Sequence, residues 1–366
     1  SALAPQPFPL GRVPLSLRVD ALQQPPAARA VVDHFGDRIA RPAARLETGK
    51  FGGHEPLIIT GRPATILVAA MLAVHLEQGR VEVRRRPWPE RRPGYSLIRL
   101  ITAGICNTDL ELQRGYYRFR GTPGHEFVGE VVDSGEQALL GRRVVGEINL
   151  ACGKCDWCAR GLGRHCPRRT TVGIAGWPGV FREYFTLPDA NLHLVPDNVT
   201  SEQAVFTEPI AAACEILDQV RIPRGAPVAV LGDGKLGLLV AQVLKARRLD
   251  VRLYGKHKEK LKIAAAAGVH TELTSAKPPA AAYDWVVEAT GSVAGLSQAV
   301  AMTRPRGTVI LKSTVHGKPP IDTAPVVVHE ITLVGSRCGR FEPALELLRK
   351  HKIRVDEMIS ARLPLA

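Results

Sequence analysis

Cys152, Cys155, Cys158 and Cys166 follow a Cys-x2-Cys-x2-Cys-x7-Cys spacing and account for four of the seven cysteines in the chain. Gly153, Gly161 and Gly163 lie among them and let the backbone wrap tightly. Four thiolates at about 2.3 Å around one ion are what a closed structural zinc site requires. Thiolates alone do not separate zinc from an iron–sulfur cluster, and buried or disulfide-linked cysteines are the plainest alternative. A closed site has no open coordination position. It accounts for the stability of a lobe and leaves any reaction to be found elsewhere.

A second set is dispersed. It comprises Gly104-Ile-Cys106-Asn-Thr108-Asp109, then Gly124-His125-Glu126 with His125 nineteen residues after Cys106, then Glu208-Pro209. Cysteine, histidine and carboxylate together make the mixed ligand set of a catalytic zinc. Singly, Cys106 reads as readily as a core residue, and His125 after a glycine as a turn residue. A third motif is Gly232-Asp233-Gly234-Lys235-Leu236-Gly237, entered from the apolar run Val228 to Leu231 and followed by an apolar helical pattern. The first two glycines allow a tight turn and close approach of a pyrophosphate, the third allows close helix packing, and the helix N-terminus faces the anion.

A dinucleotide fold places an acid at the end of its second strand to bind the ribose 2′-hydroxyl. This sequence has Tyr254-Gly255-Lys256-His257-Lys258 there. With no carboxylate to repel a 2′-phosphate and basic side chains to attract one, the reading leans to NADP over NAD. A solvated helix start is the bland alternative for the same residues.

These motifs need two kinds of scaffold. From Met71 the chain runs in short β-rich segments, 72–76, 81–83, 96–102 and 127–132, separated by Pro and Gly turns. Thr200 with Gln203 resembles a capping box, leading into one helix through Ala204, Ile210, Cys214 and Leu217. Strands at 228–231, 251–254, 285–287, 309–311 and 331–334 then alternate with helices at 236–246 and 258–267. That alternation predicts a parallel sheet covered on both faces. Residues 1–70 differ, with nine prolines and no sustained period.

The composition narrows the classes. At 366 residues, 45% hydrophobic and 23% charged, the chain has room for two domains. Its longest uncharged, largely apolar run covers 64–74, whereas a bilayer span needs roughly 20 residues. The formal charge of 49 − 35 = +14 lies in scattered pairs such as Arg91-Arg92, Arg142-Arg143, Arg168-Arg169 and Arg247-Arg248. With no aromatic-interleaved patch, these argue for a solvated surface and against nucleic acid. Nothing has the order of a secretory signal, so the cytoplasm is the default location.

The order of the motifs resembles the zinc-dependent medium-chain dehydrogenase/reductase (alcohol dehydrogenase) superfamily over about 71–366. Glu208-Pro209 resembles its sorbitol and threonine dehydrogenase branch. Cys106-Asn-Thr-Asp-Leu-Glu-Leu and Gly335-Ser-Arg-Cys-Gly-Arg-Phe resemble a bacterial branch that includes bacteriochlorophyllide dehydrogenase-like proteins. The resemblance implies an α/β chain. A GroES-like β-rich catalytic domain would occupy 71–208 and 337–366, and a Rossmann domain 209–336, behind a poorly ordered or non-family extension at 1–70. Cys106, His125, Glu126 and Glu208 would hold a catalytic zinc and the four clustered cysteines a structural one.

On the same resemblance, Thr108 would relay the substrate proton and Asp109 would fix the tautomer of His125. The relay histidine that several members carry is replaced by Glu111 and Leu112. Residues 232–237, Gly255, Lys256 and Thr290 would bind NADP or NAD. Tyr116, Tyr117 and Phe119 would line the substrate pocket or pack on the β domain. The implied activity is hydride transfer between a secondary alcohol or polyol and NAD(P), in a homodimer or homotetramer with no nucleic-acid or membrane partner. The contrasting reading is a non-catalytic, zinc-stabilised dinucleotide-binding paralogue. Family members also continue beyond a position like Ala366, so the chain reads as short at its C-terminus.

Overall fold

A computed structural model describes residues 70–274, 278–314 and 321–365. The extension read at 1–70 lies outside them except for its last residue. Strands β1 (Ala70–Glu77) and β2 (Arg80–Pro87) form an antiparallel hairpin. Its two-residue turn, Gln78-Gly79, has φ of 51° and 79°, the left-handed pair that matches strand twist.

Beyond the hairpin, β3 (Tyr95–Gly104), β4 (Glu126–Asp133), β5 (Arg143–Gly146), β6 (Tyr184–Pro188) and β7 (Leu192–Leu194) make a five-stranded antiparallel sheet in the order β6-β3-β4-β5-β7. Central β4 is buried on both faces through most of its length, and it begins at Glu126, directly after His125. One side chain of the second motif therefore starts from the best-fixed strand of this lobe. Between β3 and β4 lies α1 (Asn107–Gln113), which the sequence does not announce because it has barely two turns and an unusual cap. That cap is Cys106, whose sulfur accepts the Thr108 N–H while Asp109 reaches back to the Cys106 N–H.

The run after Thr200 is two helices instead of one: α2 (Ser201–Ala204), with the expected Thr200–Gln203 capping box, and α3 (Thr207–Gln219). Pro209 has no N–H to donate to the carbonyl four residues back, so it is accommodated in the first turn of a helix that starts afresh.

The alternating half forms a six-stranded, all-parallel sheet. Its strands are β8 (Pro227–Leu231), β9 (Asp250–Gly255), β10 (His270–Leu273), β11 (Tyr283–Glu288), β12 (Thr303–Leu311) and β13 (Thr332–Gly335), in the order β10-β9-β8-β11-β12-β13. Helices α4 (Lys235–Ala246), α5 (Lys258–Ala266) and α6 (Gly295–Met302) lie in three of the crossovers. β8 is an apolar run because both its faces are covered.

One apolar core joins the two halves. Val128, Val145, Val195 and Val199 of the antiparallel lobe pack in the same cluster as Ile210, Leu239, Leu244 and Val251. The last helix, α7 (Phe341–Arg349), packs on α3 and adds Phe341, Ala344 and Leu348 to that core. Buried Lys312, just after β12, donates to the carbonyls of Ala212 and Arg337 and to Ser336 Oγ at 2.7 to 3.2 Å. It thereby fixes the strand end to α3. Among the described residues no helix is long and apolar enough to cross a membrane.

Candidate active site

The four clustered cysteines converge as their spacing predicts. Sulfur separations are 3.4 Å for Cys155–Cys158, 3.6 Å for Cys155–Cys166 and 3.9 Å for Cys152–Cys158. Ligands at about 2.3 Å in a tetrahedron have edges of about 3.8 Å, so the donor set fits one zinc ion with no position left open. Gly153 and Gly161 take φ of 74° and 73°, which the tight wrap needs. The Lys154 amide is the main influence drawing the Cys152 thiol down to about 6, so this ligand ionises readily. Burial pushes the Cys158 thiol up to about 11.

Cys106 and His125 also meet. Sγ lies 3.0 Å from Nε2 although nineteen residues separate them in the chain. The opposite ring nitrogen, Nδ1, is buried without a well-aligned hydrogen bond and faces Asp109 Oδ1 at 3.5 Å. Asp109 is fixed in turn, Oδ2 accepting from the Cys106 amide at 2.9 Å and Oδ1 from the Gly124 amide at 3.1 Å. Burial works against ionisation of Asp109, but His125 and these two amides outweigh it and hold its pKa below the usual value. For His125, burial works against a positive charge while Asp109 and Cys106 overcome it and raise the pKa well above that of an ordinary imidazole. Both groups that face the ring, the Cys106 sulfur and the Asp109 carboxylate, carry negative charge when ionised, the surroundings a bound cation needs. An imidazole facing a thiol on one side and a carboxylate on the other fits a metal ligand backed by an orienting acid.

Within the described residues, two groups of at least three Cys, His, Asp or Glu place their ligand atoms within 4.8 Å of one another: the four cysteines, and Cys106, Asp109 and His125. Glu126 and Glu208 stand outside both. Glu126, only 3% exposed, is paired through both oxygens with Lys235 Nζ at 2.6 and 2.7 Å. Glu208 sits in the first turn of α3. Burial and then the charge of Glu126 raise its pKa, against the pull of His125, Lys235 and Lys312. Of the four expected ligands, two are in mutual contact and two are carboxylates flanking them. Thr108 follows Cys106 by two residues in the first turn of α1, and its amide is turned to Sγ at 3.2 Å.

The glycine motif makes the predicted strand–turn–helix. Gly232 has φ of 110°, and any side chain there would strike the Ala289 carbonyl. Gly237 lies directly against the Gly232 backbone, while a Cβ on Gly234 would meet only open space. That is the division of labour a pyrophosphate cradle needs, with two glycines closing the turn and one leaving room for the anion. Lys235 and Leu236 open the helix α4. Thr290, beyond β11, is held by Glu288 Oε1, which accepts from its amide at 2.8 Å and its hydroxyl at 2.6 Å.

The strand end differs from expectation. The sequence has no acid beside Gly255 and Lys256, yet the Asp233 carboxylate comes across from the glycine turn. It accepts from the His257 amide at 2.6 Å. The premise of the lean to NADP, an acid-free strand end, is therefore corrected. The signal was present as an acid inside the glycine motif and a glycine at the strand end, but only the fold brings the two together.

Residues 92–197 match the family model described as alcohol dehydrogenase GroES-like domain, and residues 236–350 the one described as zinc-binding dehydrogenase. The chain is 29% identical over 305 residues to a sorbitol dehydrogenase of Halalkalibacterium halodurans, covering 77% of this chain and 88% of that protein. It is 33% identical over 272 residues to an L-threonine 3-dehydrogenase of Streptomyces avermitilis, covering 68% and 78%. A protein of Sinorhizobium meliloti 1021, solved bound to NADP, superposes with a TM-score of 0.72 at 28% identity, covering 80% of this chain and 92% of that one.

Proposed function

We propose a specific reaction and site for this chain, which belongs to the zinc-dependent medium-chain dehydrogenase/reductase superfamily and is an alcohol dehydrogenase-like oxidoreductase. The reaction is reversible hydride transfer between a secondary alcohol or polyol and NAD(P). Cys106 and His125 hold the catalytic zinc, with Glu126 and Glu208 as the flanking or exchanging carboxylates. Cys152, Cys155, Cys158 and Cys166 hold the structural zinc.

One observation carries this reading. The Glu126–Lys235 ion pair spans 109 residues and ties the neighbour of His125 to the helix that starts at the glycine turn. This contact brings the residue after His125 against the first helical residue of the dinucleotide cradle, which supports reading the two as parts of one site. Zinc, when bound, supplies the Lewis acidity that lowers the pKa of an alcohol hydroxyl towards ~7. Asp109, facing His125 Nδ1 at 3.5 Å, would orient the ring with Nε2 on the Cys106 side, where the zinc would be held. Thr108 Oγ1 would relay the proton that the alcohol gives up, passing its own hydroxyl proton on to solvent as it accepts that one. The sorbitol dehydrogenase relative supports the polyol class.

The division into a catalytic lobe at 71–208 and 337–366 and a dinucleotide lobe at 209–336 belongs to the same reading, as does a homodimer or homotetramer. Cysteines used as metal thiolates suit a reducing compartment such as the cytoplasm. The test is an absorbance assay near 340 nm of the zinc-loaded protein, with a panel of secondary alcohols, polyols and amino alcohols and with NAD and NADP separately. Turnover of at least one substrate, abolished in Cys106→Ser, is the expected result. Dinucleotide binding without turnover of any of them, or full activity in Cys106→Ser, would overturn it.

A further inference from the structure

In a dinucleotide-binding sheet the acid that reads the adenosine ribose stands at the end of the strand after the glycine turn. Here that strand, β9, ends on Gly255 and continues into Lys256 and His257, with no acid at this end. The position is filled from the side. Asp233, the residue after Gly232, is only 7% exposed and turns its carboxylate to the strand end. Oδ2 accepts from the His257 amide at 2.6 Å, and the two oxygens lie 3.1 and 3.0 Å from His257 Nδ1. A Cβ on Gly255 would come within 2.6 Å of Oδ2. The missing side chain at the strand end is thus what admits the acid from the turn.

We propose that Asp233 is the specificity-determining residue for the dinucleotide: it stands in for the absent strand-end acid and selects NAD(H) by repelling the 2′-phosphate of NADP(H). The inference rests on the dinucleotide reading above and reverses the preference drawn from the basic run alone. Three features decide between the acid and the bases. The His257 amide, a donor that a phosphate oxygen could have used, already serves Asp233. The His257 ring is engaged by the same carboxylate. Lys256 and Lys258 are exposed, so solvent and salt screen their attraction, whereas the buried carboxylate acts at short range on anything placed against it. A ribose hydroxyl can donate to a carboxylate, and a phosphate dianion can only be repelled by it.

The experiment measures equilibrium dissociation constants of NADH and NADPH, by nicotinamide fluorescence or calorimetry, on the zinc-loaded full chain and on Asp233→Asn. Wild type is expected to bind NADH at least about tenfold more tightly than NADPH. Asp233→Asn is expected to bring the ratio within about threefold or invert it, chiefly through tighter NADPH. Gly255→Ala, which displaces the acid without removing it, should move the ratio the same way. On wild type alone, 5′-ADP should compete better than 2′,5′-ADP, a comparison that stands even where a variant fails to fold. Tighter binding of NADPH by wild type, or a ratio unmoved by Asp233→Asn, overturns the role of Asp233 and leaves the dehydrogenase reading intact. Binding of neither nucleotide overturns both.

Discussion

Two cysteine sites lie in the antiparallel half, and they are built in opposite ways. The 152–166 lobe takes all four donors from one local stretch, so backbone turns alone bring the sulfurs to 3.4–3.9 Å. The Cys106 cluster takes Cys106 and Asp109 from a helix cap and first turn and His125 from the residue before a strand, with Glu208 of α3 and Lys235 of α4 in its electrostatic surroundings. Its residues lie far apart in the chain and meet only when β3 and β4 pair. A local, closed set stabilises structure, while a non-local set with polar groups left around it is suited to chemistry. Loss of a donor should accordingly unfold the first and silence the second.

Cys166→Ser should have the largest effect on stability. Cys166 is fully buried, and structural zinc contributes about 10 kcal/mol or more to the folding of small zinc domains. One zinc equivalent should be lost, and the melting temperature should fall by more than ~10 °C in calorimetry. Cys106→Ser should instead lower kcat/KM at least ~10³-fold, about 4 kcal/mol of transition-state stabilisation, with little change in melting temperature. Equal unfolding by both substitutions would erase the contrast.

Lys235→Met probes the join between the lobes. It strands the buried Glu126 carboxylate, and breaking such a pair costs about 3 kcal/mol. Adding Glu126→Gln should restore a good part of that loss in denaturant titrations, which no independent pair of residues would do. Asp109→Asn should be milder, lowering activity or zinc affinity at the Cys106 site by about 10- to 100-fold. The same substitution should leave the four-cysteine zinc in place, as metal analysis of the variant would show.

The two regions also differ in how far they can be read from sequence. The cysteine lobe, the glycine turn and the parallel-strand alternation were legible because spacing along the chain fixes them. Cys106 and His125 were legible as residue types, but their 3.0 Å contact is set by the pairing of β3 with β4. Lys235 reads as part of a pyrophosphate turn, and nothing local shows that it crosses to Glu126. Asp233 is hidden in the same way, because its partner His257 lies 24 residues on and meets it only when β8 and β9 pair. The helix break at Val205 and Phe206 was signalled by Pro209, but the capping box at Thr200 reads as the start of one continuous helix.

Zinc stoichiometry measured by plasma mass spectrometry on wild type and Cys106→Ser, with unfolding followed on the same samples, tests the central contrast most directly. The account predicts two zinc ions per chain in wild type and one in Cys106→Ser, with the fold retained and hydride transfer gone. One zinc in wild type, or two in Cys106→Ser, would contradict it.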